Sequence, residues 1–188
     1  HFAGFGSPGG QVGMLNNNTL SRVDFRTSAF PAEYGNAVSG VLDLGLRNGN
    51  KDKYEFLAQL GFNGIEVGAE GPFAKKKSQA SFLINYRYST LALFKLLKAN
   101  FGTGTAVPEY QDLTFKVDVP TKKAGVFRFW GLGGLSKIEL LGSVVDLSKP
   151  QKNLYGNENI DLYKVQTGMF GFSHTYFINP KTYYKLML

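Results

Sequence analysis

The chain has 188 residues, no cysteine and a formal net charge of +7. Without cysteine there are no disulfide frameworks or thiolate metal sites, and apolar runs such as Leu91-Ala92-Leu93-Phe94 are far too short for a membrane-spanning helix. The 23 glycines, 16 phenylalanines and 10 tyrosines, without helix-forming alanine and glutamate runs, favour an all-β fold and leave a β-barrel wall open, because alternation keeps mean hydropathy low.

Residues 1–19 are rich in Gly, Asn and Ser and read as loop. Within them Gly4-Phe5-Gly6-Ser7-Pro8-Gly9 fits G-x-G-x-x-G, which cradles a pyrophosphate only where it joins a strand to a helix. Pro8 and Gly9-Gly10 oppose a helix there, so a loop is expected. Leu20–Arg26 alternates as a short strand. Pro31 and the glycines break 29–40 into turns, and 41–47 alternates again.

Tyr54, Phe56, Ala58, Leu60 and Phe62 share one strand face, and after Asn63-Gly64 the apolar set changes parity to Ile65, Val67, Ala69 and Phe73. A two-residue Asn-Gly turn that pairs 62 with 65 accounts for the change and predicts a hairpin of 53–62 and 65–73. Residues 80–89 follow, with Ala80, Phe82, Ile84, Tyr86 and Tyr88 on one side and Ser81, Leu83, Asn85, Arg87 and Ser89 on the other. Such a strand is long enough to cross a bilayer when tilted. A charge placed at Phe82 is expected to cost far more than one at Ser81.

Residues 91–112 read as a long excursion holding a short helix around Leu93, Phe94, Leu96 and Leu97, and 113–119 as a strand. A basic turn at 120–125 leads to a less regular strand at 126–136, with Phe127, Phe129 and Leu135 opposite Arg128, Trp130 and Leu132. Residues 137–164 are expected to be a loop. The next strand sets Phe170, Phe172, Tyr176 and Ile178 against Thr167, Ser173 and Thr175, Asn179-Pro180-Lys181 turns it, and 182–188 begins another. Apart from the tight Asn63-Gly64 turn, short basic turns thus alternate with long loops, as in transmembrane barrels, which places 74–79, 120–125 and 179–182 on the periplasmic side and 90–112 and 137–164 outside. The turn lysines are read as solvated, with phospholipid headgroups as the alternative. Their confinement to turns argues against nucleic acid as a partner.

Tyr34-Gly35-Asn36-Ala37 through Gly40-Val41-Leu42-Asp43-Leu44 resembles the end of the plug domain in TonB-dependent outer-membrane receptors, and Phe30-Pro31-Ala32-Glu33-Tyr34-Gly35-Asn36 is similar to the form common in Bacteroidetes members. The resemblance continues through Arg47-Asn48-Gly49-Asn50, Glu70-Gly71-Pro72 and Asn85-Tyr86-Arg87-Tyr88, from residue 1 to about 135. It implies that 1–49 is the C-terminal part of a plug, and that 53–188 is the first six or seven strands of an incomplete barrel, 22-stranded and plugged when whole. The expected place is the outer membrane of a Gram-negative bacterium. The expected function is active import of a scarce solute (siderophore, cobalamin, glycan or peptide). The resemblance further implies TonB as a partner, through an N-terminal segment outside this chain, together with outer-membrane lipid, the solute and, in some relatives, a surface lipoprotein. It marks Tyr34, Gly35, Asn36 and Gly40 as plug-motif residues. The alternative is a soluble all-β binding or adhesion module at the cell surface.

No enzymatic chemistry and no cofactor are expected. His174, between Phe172 and Tyr176, reads as a packed residue rather than a metal ligand, and no H-E-x-x-H or G-x-S-x-G motif occurs. Glu66 and Glu70 could form a glycosidase pair, but as inward-facing residues they are expected to hydrogen-bond to a plug. Asn157-Glu158-Asn159-Ile160-Asp161 has oxygen ligands without EF-hand spacing and reads as an exposed loop. Asn85 and Arg87 are the candidate polar residues of the barrel interior. Arg87 is expected either to find a plug partner, with Asp43 proposed, or to be wetted by lumen water.

Overall fold

The computed structural model describes residues 15–27, 31, 34–35, 39–61, 64–73, 79–89, 106–140 and 161–188. Outside them lie the glycine-rich pattern at 4–9, plug-motif residue Asn36, the expected helix near 93–97 and the acidic stretch at 157–160. The described chain is all-β apart from a 3-10 turn, Asn17–Thr19. Strand β1 (Leu20–Arg26) pairs antiparallel with β2 (Val41–Leu46). The remaining strands form one antiparallel sheet in chain order: β3 (Glu55–Gly61), β4 (Gly64–Pro72), β5 (Ser81–Tyr88), β6 (Ala106–Pro120), β7 (Val126–Leu140), β8 (Asp161–Asn179) and β9 (Thr182–Met187). This sheet is open, with β3 and β9 at its edges. No helix among the described residues is long and apolar enough to cross a membrane.

The order places the connections 73–80, 121–125 and 180–181 at one end of the sheet, here the basal end, and 62–63, 89–105 and 141–160 at the distal end. Two expectations are corrected. Strand β6 begins at Ala106, β7 reaches Leu140 and β8 starts at Asp161, so the ladder runs into stretches expected to be loop. Polar residues at Glu109 and Gln111 interrupt the alternation, yet Lys137 and Leu135 pair with them across the ladder. Backbone pairing sustains the strand where side-chain period does not. In the first hairpin Gly61 pairs with Gly64 and Leu60 with Ile65, rather than 62 with 65. Gly64 belongs to the ladder because it lies against the Tyr88 carbonyl, where a Cβ would not fit. Leu60 still faces Ile65, so the shared apolar face holds.

Register converts single-strand faces into rows. Phe56, Ala69, Ile84, Phe115, Gly131 and Phe170 form the middle row. Ala58, Val67, Tyr86 and Leu113 flank it distally, and Phe82, Val117, Phe129 and Phe172 basally. This apolar face is the open one: Phe170, on an interior strand, is 87% exposed, and Ile84 42%. The opposite face carries Glu66, Glu70, Ser81, Asn85, Asp112, Thr114, Asp118, Ser173 and Thr175, all buried. Polar inside and apolar outside inverts the usual arrangement of a water-soluble domain.

Candidate functional site

The site is the polar face of the sheet together with the segment that covers it. Asn16 caps the 3-10 turn, its side-chain oxygen accepting from the Asn18 N–H, and this local role aims its amide at the sheet. That amide donates to Glu66 Oε1 and to Asn85 Oδ1, both at 2.8 Å. The side-chain amides of Asn18 and Asn85 also donate to Glu66 Oε1, so one carboxylate oxygen accepts three amide protons. Each such charge-assisted bond is stronger than a neutral one.

A second anchor lies at Glu70. Arg47 Nη1 reaches both of its carboxylate oxygens, at 2.7 and 2.6 Å, and the Asn50 N–H donates to Oε2 at 2.9 Å. Arg47 is itself held by Nε donating to the Asn18 carbonyl and by its own N–H donating to the Thr19 carbonyl. Further along, Lys116 Nζ donates to the Leu46 carbonyl. Asp118 takes Arg128 at 3.0 Å and Lys51 at 4.0 Å. Gly49 crosses directly over β5: a Cβ there would collide with the Phe82 carbonyl, so no larger residue allows the chain to lie this flat.

Glu66 and Glu70 do meet the N-terminal segment, as their inward parity implied. Asn85 joins the Glu66 network. Arg87 pairs its guanidinium with Asp112 on neighbouring β6, Nε to both oxygens at 3.0 Å and Nη2 at 2.9 Å, and Asp43, the partner proposed for it, is bonded to Arg22. Arg87 and Asp112 are direct register partners on adjacent strands. Among the motif residues, Tyr34 donates its hydroxyl to Asp43 at 3.4 Å and lies under the Arg26 guanidinium. A Cβ on Gly40 would touch the Phe25 ring at 3.2 Å, whereas one on Gly35 would meet nothing within 4 Å. Sequence reasoning missed Asn16, Asn18, Arg47 and Asp112 as contacts. The Asn16-Asn17-Asn18 run and the inward parity of Asp112 with Thr114 were the available signals.

His174 stacks on Phe127 with centroids 4.3 Å apart. Its Nε2 is 2.7 Å from the Ala124 carbonyl and its Nδ1 3.4 Å from the Tyr184 hydroxyl, so an Nε2–H tautomer donates to the first and accepts from the second. At the basal rim the hydrogen-bonded Glu55 carboxylate holds the Lys53 ammonium above its ordinary range. No cluster of His, Cys, Asp or Glu among the described residues could hold a metal ion. A cavity of about 220 Å³ between segment and sheet, lined by Asn18, Arg47, Leu57 and Glu70, is below the size of pockets that enclose drug-sized ligands. Comparison of the chain with protein-family models, curated proteins and solved structures finds no match.

Proposed function

We propose that the chain is a section of a TonB-dependent outer-membrane transporter. In this reading β3–β9 are wall strands of a barrel completed by further strands, and residues up to about 49 are the end of its plug. The protein imports a scarce solute, and it carries out no covalent chemistry. The observation that carries the reading is the inverted sheet, with its apolar face open and its buried polar face bonded to a preceding segment through Asn16, Asn18 and Arg47. Plugged barrels need both features, since lipid surrounds the wall and polar groups fill the lumen.

The height of the apolar face supports the same reading. On β6 the outward positions between Gln111 and Thr121 are Leu113, Phe115, Val117 and Val119. That stretch spans about 34 Å along the strand. At a tilt of about 40° it rises about 26 Å, against an apolar band of about 25 Å in outer-membrane barrels. Aromatic rings border it: Tyr86 and Tyr88 distally, and Phe73, Phe82, His174, Tyr176 and Tyr184 basally. In a soluble binding module this face would need a second layer to cover it.

An immunoblot of fractionated source cells, with an antibody raised to 137–164, tests the proposal. The expected result is a band in the outer-membrane fraction far larger than this chain's 20.7 kDa. Uptake by cells lacking the protein, and by cells lacking TonB, should then fail for the same solute. A band confined to the soluble fraction overturns the proposal in favour of the binding module.

A further inference from the structure

The basal connections, residues 51–54, 73–80, 121–125 and 180–181, contain eight lysines and one aspartate. Their surplus of seven equals the net charge of the whole chain, so everything else balances to zero. At the distal end the outermost described outward row, Glu109–Lys137–Lys164, mixes signs. The distal connections 89–105 and 141–160 carry four lysines against Asp146 and Glu158, so the positive charge of the connections is greater at the basal end, where all of the excess is lysine.

Two of the basal cations already have acidic neighbours: Lys53 is paired with Glu55, and Lys51 turns inward toward Asp118. Lys122, Lys123 and Lys181 differ. All three are exposed, and each stands at the tip of a turn. The turn that carries Lys122 and Lys123 is fastened to β8 in two ways. Gly125, at φ 79°, packs against the Thr175 carbonyl, and His174 donates to the Ala124 carbonyl. The lysines are thereby held at the edge of an aromatic shelf made by Phe127, His174, Tyr176 and Tyr184. Rings with one apolar side and one polar tip belong at headgroup depth. A lysine just beyond them keeps its stem on the apolar border while its ammonium reaches a phosphate.

We propose that Lys122, Lys123 and Lys181, with this aromatic shelf, form a binding surface for the headgroups of anionic phospholipids in the leaflet at the basal end. The inference rests on the membrane reading above and replaces the view of these lysines as merely solvated. A row of lysines next to an anionic leaflet gains attraction from each ammonium, and this attraction weakens as salt screens it.

The test uses the protein at its natural length, purified from its source membrane and reconstituted in vesicles. Spin-labelled phosphatidylglycerol or spin-labelled phosphatidylcholine is added in turn, and the motionally restricted lipid in contact with the protein is measured. The expected result is a several-fold preference for phosphatidylglycerol that falls to parity in a Lys122→Gln, Lys123→Gln, Lys181→Gln variant and shrinks at high salt. Restricted lipid with no such preference in the unaltered protein overturns this proposal alone. A preference that survives the triple substitution overturns it too, because the anionic lipid is then held elsewhere. Absence of any restricted lipid removes the membrane reading and this proposal together.

Discussion

Asp112 is 3% exposed and its carboxylate is shared with Arg87 on the next strand. Taking away the carboxylate deprives the half-buried Arg87 guanidinium of its charge-assisted hydrogen bonds to Asp112, so Asp112→Ala should cost about 1.5–3 kcal/mol. Replacing both, Arg87→Met with Asp112→Leu, should cost clearly less than the single change. Urea unfolding of the three variants measures the difference, and equal losses would show that the pair does not act as a unit. A different test applies on the other face. Ile84 is at mid-height of the apolar band and open. If it faces hydrocarbon, Ile84→Arg should destabilise folding into bilayers by about 2–4 kcal/mol; if it faces water, by no more than about 0.5 kcal/mol. Ser81 no longer serves as the inexpensive control, since it is 0% exposed and flanked across the ladder by Pro72 and Asp118. Gln59, exposed on the inward face of the edge strand, takes its place.

The elements were legible wherever side-chain period and burial agree. Strands β1 to β5 follow from alternation, because each carries mainly polar residues on one face and mainly apolar residues on the other. The ends of β6, β7 and β8 were not, because there the sequence loses its alternation, as at Glu109 and Gln111 on the otherwise apolar side of β6. Partnership across the sheet was equally hidden. Arg87 finds Asp112 only after β5 and β6 are set in register, and Asn16 finds Glu66 across a large sequence separation. The turn at 121–125 shows what a single register-fixed contact contributes. Gly125 combines a left-handed backbone with an approach to the Thr175 carbonyl that leaves no space for a Cβ. Gly125→Ala should therefore cost at least about 2 kcal/mol. It should also loosen His174 from Ala124, which proton NMR of the imidazole would register. Unchanged stability and an unchanged imidazole signal would mean that the turn is not clamped to β8.

At the scale of the molecule, what distinguishes this chain is how its two parts meet. Among the described residues the covering segment is attached by amides, a guanidinium and carboxylates. Separating an apolar interface exposes hydrocarbon surface to water, whereas separating this one exchanges hydrogen bonds with protein for hydrogen bonds with water. The net cost per bond is about 0.5–1.5 kcal/mol, or about 1.5–3 kcal/mol where a charge takes part. A segment bonded in this way can leave its seat and return where water reaches it, as the proposed plug role would require. The two glutamates carry most of the attachment, so Glu66→Ala combined with Glu70→Ala should weaken docking without disturbing the sheet. A loss of about 2–4 kcal/mol would speed amide exchange in 15–26 and 41–47 by roughly 30- to 1000-fold. The β4–β7 ladder amides, bonded strand to strand, should keep their protection. Hydrogen–deuterium exchange with peptide resolution reads both sets at once. If the N-terminal amides exchange at the original rate, contacts other than Glu66 and Glu70 hold the segment; if the ladder amides accelerate equally, segment and sheet unfold as one unit and cannot separate as import would require.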